Sequence, residues 1–119
     1  MNIVLRTATR VDEPFLLTLY GTTREDELSL TNFTAIEKDD FIRQQFHAQH
    51  NTYAQRYPKA RFDLIMREQQ NLGRLCVDRR EREIRVMDIA LLPDWRNKGI
   101  GTYLMNTLLQ EAKLTNRPV

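Results

Sequence analysis

The segment LLPDWRNKGIGTYL, residues 91–104, constrains this chain more than any other. The chain has only four glycines, and two of them, Gly99 and Gly101, stand here behind Arg96 and Lys98. The residues before the segment, Glu83 to Leu92, read as a strand whose end is almost wholly apolar, a pattern expected of a strand buried on both faces. The residues after it place Ile100, Leu104, Leu108 and Ala112 at steps of four, flanked by Met105 and Leu109, which is an amphipathic helix. Pro93-Asp94-Trp95 turns the chain between the two. The first turn of a helix carries N–H groups without partners and the positive end of the helix dipole. Glycines at 99 and 101 remove the side chains that would keep an anion from those N–H groups, and Arg96 and Lys98 add positive charge. A pocket suited to phosphate or pyrophosphate follows. The plainer reading is that the two glycines permit a tight strand-to-helix turn. The spacing is neither GxxxxGK[ST] nor GxGxxG, so neither of the two familiar nucleotide loops is present.

The rest of the chain supplies an α+β frame. Ile3 to Thr9 reads as a strand, and Asp12-Glu13-Pro14 as a helix start, with Phe15, Leu16, Leu19 and Tyr20 at helical spacing and Gly21 as its end. Thr22 to Thr34 reads as irregular and polar, with acids at Glu25, Asp26 and Glu27. A long helix opens at Thr34 or Ala35, carries Phe41, Ile42, Phe46, Tyr53 and Tyr57 on one broad face, and closes at Pro58. Phe62, Leu64 and Met66 mark a strand, Leu72 to Asp78 the next, and Glu83 to Leu92 a third, with a charged hairpin at 79–82. The order is β-α-α-β-β-β-α with a central, mostly antiparallel sheet. At 119 residues the chain is expected to form a single domain spanning 1–119. A formal net charge of +2 gives no electrostatic reason to expect a nucleic-acid partner, and the Arg-rich stretch at 79–85 is interleaved with Glu81 and Glu83. No run approaches the roughly 20 apolar residues of a membrane span, and the N-terminus lacks a signal-peptide core, so no membrane partner is expected. A single cysteine, Cys76, excludes an intrachain disulfide and fits a reduced, cytoplasmic setting.

With the strand before it and the helix after it, Asp88-Ile89-Ala90-Leu91-Leu92-Pro93-Asp94-Trp95-Arg96-Asn97-Lys98-Gly99-Ile100-Gly101 resembles the acetyl-CoA loop of the GNAT superfamily of N-acetyltransferases, Arg/Gln-x-x-Gly-x-Gly/Ala after a strand ending in a small apolar triplet. The strong likeness lies within residues 83–112. The resemblance implies a GNAT-like acyl-CoA N-acyltransferase fold, acetyl-CoA as cosubstrate and a small-molecule or peptide amine as acceptor. It implies that the pyrophosphate rests on the N–H groups of Asn97, Lys98, Gly99, Ile100, Gly101 and Thr102 with Arg96 beside them. It implies that pantetheine runs along Ile89, Ala90 and Leu91, and that a backbone N–H near Leu91 polarises the thioester carbonyl. Transfer is then direct, so Cys76 is not needed as a nucleophile and reads as a buried structural thiol.

Direct attack needs a neutral amine, and an amine of pKa near 10.4 is free base in only about one molecule in a thousand near neutral pH. A general base or a water relay is therefore expected. The candidates are Asp88, nearest the expected thioester, then Glu83, then the acids at 25–27. Strict strand alternation would group Glu83, Met87 and Ile89 on one face and Val86, Asp88 and Ala90 on the other. The plainer reading of Asp88 is a partner for backbone, Arg85 or Arg96, and that of the acidic run is a solvated patch. His47 and His50 lie in the long helix with no third ligand in view, so no metal site is expected. Trp95 is expected to pack beside the cofactor loop.

The chain departs from the family pattern at its end. The family continues with a fifth strand, a helix and two more strands, and Asn116-Arg117-Pro118-Val119 looks like the lead-in to that fifth strand. The C-terminal elements are therefore expected to be missing, and with them a wall of the acceptor pocket and a residue that protonates the thiolate. An exposed apolar edge on the strand ending at Leu92 predicts self-association as a homo-oligomer. Two functions follow: acetyl transfer to an amine, or a non-catalytic CoA-binding or protein-interaction remnant of such a domain.

Overall fold

The computed structural model describes residues 1–119, whose four strands pair antiparallel in sequence order. These are β1 (Val4–Thr7), β2 (Arg61–Arg67), β3 (Gln70–Arg79) and β4 (Ile84–Leu91). Between β1 and β2 come the helices α1 (Glu13–Thr23), α2 (Glu25–Ser29) and α3 (Ala35–Arg56), and after β4 comes α4 (Ile100–Leu114). This is the expected α+β order with one added helix.

Each helix has a local cause. Thr34 and Glu37 form a reciprocal capping box at the start of α3: Glu37 N–H donates to Thr34 Oγ1 at 3.2 Å and Thr34 N–H to Glu37 Oε1 at 3.0 Å. Ile42 and Phe46 bury the inner face of α3. α1 does not stop at Gly21 but runs on to Thr23. The last-turn hydroxyls of Thr22 and Thr23 donate back to the carbonyls of Leu19 and Tyr20, both at 2.7 Å. The acidic stretch is the helix α2 rather than a loop. Its three acids sit in the first turn, where the dipole favours them, and Leu28 is buried beneath it.

α4 packs on one face of the sheet. Ile100, Leu104, Leu108 and Ala112 meet Ile65, Leu75, Val77 and Ile84 in one apolar cluster. The step-of-four pattern thus does what it predicts. β4 does not: only Ile84 is buried, and residues 85–91 are half-buried or exposed. The reason is topological, since β4 is an edge strand and its outer rim faces no fifth strand along most of its length. At its beginning, Ile84 N–H donates to Pro118 O at 2.8 Å, so residues near the chain end do lie along that rim. No helix is long and apolar enough to cross a membrane.

β4 also breaks strict alternation. Val77 pairs with Val86 but Cys76 with Asp88, so Met87 is an extra, bulged residue. Val86, Ile89 and Leu91 consequently pack on the α4 cluster together. Val86 and Ile89 share a face, against the expected grouping, and Asp88 turns to the other face opposite Cys76. β3 approaches the end of β4 very closely at Gly73, where a Cβ would lie 2.1 Å from Ala90 O. Only glycine fits there.

Candidate functional site

The end of β4 is held on one side only. Leu92 N–H donates to Leu72 O of β3 at 2.8 Å. In an antiparallel ladder the next residue points the other way. The N–H and C=O of Leu91 therefore face the free edge. Arg96 takes up that C=O, its Nε donating to Leu91 O at 2.9 Å, while its Nη2 reaches Thr22 Oγ1 of α1 at 3.2 Å. Arg96 thus braces the loop against β4 and α1, and the Leu91 N–H stays open.

The loop then folds so that its amides converge. After the turn Pro93–Trp95, Asn97 and Gly99 take left-handed backbone angles, φ 60° and 85°. Asn tolerates this region and glycine is at ease in it. α4 starts at Ile100 with no side-chain cap, and the N–H groups of residues 97–102 donate to no acceptor in the protein. A Cβ on Gly101 would meet nothing within 4 Å. Gly101 is therefore not demanded by packing, and its lack of a side chain keeps open space in front of the helix start. The side chain of Lys98 does not join this cradle of amides. Its Nζ lies over the Trp95 ring, 5.3 Å from the centroid, and the Arg67 guanidinium lies 5.9 Å from the same centroid. The aromatic ring competes for the cation and wins it.

In front of the loop lies a cleft of about 730 Å³ between α1, the end of β4 and the start of α4. Ile89, Ala90, Leu91, Arg96, Asn97, Gly99, Ile100, Gly101 and Thr102 all border it, and so does Asp88. The structure thus gathers every expected loop and strand residue except Lys98. Glu83 lies outside. It precedes β4, about 25 Å along the strand from Leu91 by extended-chain spacing. Its carboxylate is shared by Arg80 at 3.5 Å and Arg85 at 3.2 Å. The expectation of a base at Glu83 does not fit this placement. Of the acids at 25–27 only Asp26 borders the cleft.

Two residues that the sequence reading passed over form the cleft floor. Arg74 of β3 donates through Nη2 to Asp88 Oδ2 at 2.5 Å and to Gln49 Oε1 of α3 at 3.0 Å. Arg74 is the partner of Asp88, rather than Arg85 or Arg96, because the Met87 bulge turns Asp88 to the α3 face, diagonal to Arg74 across the ladder. A charged residue inside the apolar run Leu72 to Val77 was the available signal, since a buried charge must find a partner. Cys76, opposite Asp88, is fully buried, and that burial pushes its thiol up to about 12. It is a protonated, inert thiol at neutral pH.

A family model described as the acetyltransferase (GNAT) family matches residues 25–116. Solved structures share the fold. The PaiA N-acetyltransferase of Thermoplasma acidophilum, solved in complex with coenzyme A, superposes with a TM-score of 0.61 at 16% identity, covering 98% of this chain and 73% of that one. An acetyltransferase of Thermus thermophilus gives 0.58 at 13% identity, covering 92% and 69%. A predicted acetyltransferase of Clostridium acetobutylicum, solved with acetyl-CoA, gives 0.51 at 16% identity, covering 98% and 79%. No curated protein matches the chain by sequence.

Proposed function

The chain belongs to the acetyltransferase (GNAT) family, and from that premise we propose that it transfers an acetyl group from acetyl-CoA to a primary amine, on a small molecule or a peptide, by direct attack in a ternary complex. The observation that carries this reading is the run of N–H groups at 97–102, which have no acceptor in the protein and stand where Gly101 leaves open space. Such an array takes a pyrophosphate by hydrogen bonds and by the helix dipole together. Two of the structural relatives were solved with coenzyme A or acetyl-CoA, which supports the same cosubstrate here.

The residues then divide the work. The amides at 97–102 hold the pyrophosphate. The free rim at Ile89, Ala90 and Leu91 receives the pantetheine arm as an added strand would be received. The Leu91 N–H, free of any strand partner, donates to the thioester oxygen as negative charge develops on it. The amine nitrogen bonds to the acetyl carbon, the carbon–sulfur bond breaks, and its electron pair leaves on sulfur. The proton the amine gives up passes to water or to Asp88, whose Oδ1 accepts no hydrogen bond in the protein.

A second reading, binding without turnover, is favoured by one observation: the other oxygen of Asp88 is already engaged by Arg74. One experiment separates the two. Acetyl-CoA is titrated calorimetrically into the protein and into Gly101→Trp, and thiol release is then followed with a panel of amines. Micromolar binding lost in the variant, with thiol release, supports transfer. Binding without release supports the second reading. No binding to a folded protein overturns both. The open rim at Leu91 also suits pairing with a second copy of the chain. Size-exclusion chromatography is expected to show a concentration-dependent dimer, and a monomer at every concentration would refute it.

A further inference from the structure

We propose that the amine acceptor is an amino acid, with its carboxylate on Arg74 and an apolar side chain in a second, aromatic-walled cavity; this rests on the acetyl-transfer reading of the cleft. The second cavity, about 390 Å³, shares Leu16 and Arg74 as common walls with the first. Its other walls include Phe46, His50 and Phe62. The His50 ring is stacked on Phe46 with centroids 6.3 Å apart and tilted towards Phe62 at 5.8 Å. At the rim, His47 Nε2 and Glu13 Oε1 meet at 2.9 Å and so engage each other.

Arg74 stands between the two spaces with donors to spare. Its side chain is only 5% exposed. A guanidinium carries five N–H donors, and Nη2 spends two of them on Asp88 and Gln49. Nε and Nη1 make no hydrogen bond within the protein, yet neither is sealed away, since the only fully buried side-chain polar atom without a partner is Asn71 Oδ1. Those donors therefore open on the cavities that Arg74 borders. A guanidinium so presented takes a carboxylate through charge-assisted hydrogen bonds.

Charge balance sharpens the class. Arg74 and Asp88 sum to zero. A plain amine cation, or a plain carboxylate, would add an unbalanced charge beside this poorly solvated pair, whereas a zwitterion adds none. The free Oδ1 of Asp88 and the free nitrogens of Arg74 belong to one ion pair, so a ligand that uses both carries its opposite charges close together. An amino acid does so. The ring-walled cavity beyond Arg74 then receives its side chain.

The test measures binding on the protein without acetyl-CoA, by ligand-observed NMR and calorimetry, so that it does not depend on turnover. The probes are L-phenylalanine and L-leucine against phenethylamine and isopentylamine, which lack only the carboxylate. The amino acids are expected to bind roughly tenfold to a hundredfold more tightly, the span associated with a charged hydrogen bond. Arg74→Lys keeps the charge but has only three donors in place of five and no planar fork, and is expected to erase most of that preference. Because removing Arg74 alone strands Asp88, the paired variant Arg74→Gln/Asp88→Asn serves as the second case and is expected to show none. Amines binding as well as the amino acids, no probe binding at all, or a preference surviving in both variants would overturn the proposal. Amino-acid binding in a protein that does not take acetyl-CoA would leave the amino-acid site on Arg74 standing and remove the transfer reading, and with it the ligand's role as acceptor.

Discussion

The two faces of the sheet carry different loads. Towards α4, nine buried apolar residues form one cluster. Towards α1 and α3, the same strands present Arg74 and Asp88, joined to Gln49, and two cavities open among them. Apolar burial at about 25 cal/mol per Å² is a favourable return on area, while a partly buried ion pair is near neutral in stability. The α4 face holds the larger apolar cluster, while the opposite face buries Leu19, Ile42, Phe46 and Leu64 and in addition carries the charged lining of the cavities. The cleft lies where they meet, because α4 starts at the end of β4.

The comparison breaks most sharply under core truncation. Leu104→Ala on the α4 face is expected to cost about 2–5 kcal/mol, read as a lower urea midpoint, and to abolish acetyl-CoA binding as α4 loosens. Leu16→Ala, half-buried and bordering both cavities on the other face, is expected to cost about 1 kcal/mol or less. Equal losses would mean that both faces hold the fold alike. An alkaline titration tests a different part of the α3 face. Burial raises Cys76 from 9.0 to about 12 in the folded chain. The unfolded chain loses that proton first, so the contribution is fully present below about pH 9 and is lost as pH rises towards 12. Cys76→Ala should flatten this limb of the urea midpoint against pH by a few kcal/mol at most. An unchanged limb would place the thiol in contact with solvent.

The glycine pair separates loop geometry from loop function on a smaller scale. Gly99→Ala forces a side chain into φ 85° and is expected to cost about 1–2 kcal/mol. Gly101→Trp projects into open space and is expected to change stability by less than about 1 kcal/mol while removing acetyl-CoA binding. Thermal melts and calorimetry on the two variants check this. A Gly101→Trp protein that still binds acetyl-CoA would remove the cradle from the site.

The parts of this molecule that sequence made legible are those encoded by local pattern. The step of four in α4, the opening of α3 at Thr34 or Ala35 and the Arg96 to Gly101 loop each depend on neighbours within one turn or one strand. The parts it hid depend on distant partners. The bulge at Met87 is a mismatch between two strands, and it places Val86 and Asp88, which strict alternation would put together, on opposite faces. The pairing of Arg74 with Asp88 joins β3 to β4 and follows from that bulge. The Lys98 ammonium lies away from the cradle because Trp95 offers it a ring. α2 lay hidden in its acids, because the one apolar residue that anchors it, Leu28, has its partners elsewhere in the chain.

The smallest effect tests whether the α4 face draws stability from its charged margin. Glu111 of α4 accepts from Arg79 Nε at 2.6 Å and pairs with Arg117 Nη2 at 3.4 Å, tying α4 to β3 and to the residues after it. The Arg79 hydrogen bond, above all, holds its carboxyl below the ordinary value of 4.5, against the opposing effect of burial. On acidification the unfolded chain takes up this proton first. The stabilisation is therefore present above pH 4.5 and is lost as pH falls through the lower, folded value. Asp12, lowered chiefly by Arg6, acts in the same direction and forms a background common to both proteins compared. Glu111→Gln isolates the pair: its urea midpoint should fall below that of the parent at pH 6 by less than about 1 kcal/mol, since about a third of each partner is solvent-exposed. The gap should narrow as pH falls below 4.5 and through the lower, folded value, where the parent loses the same charge. A gap of constant size would mean that Glu111 contributes through the packing of its stem on β3 rather than through its charge, and the α4 face would then be apolar in its energetics to its very edge.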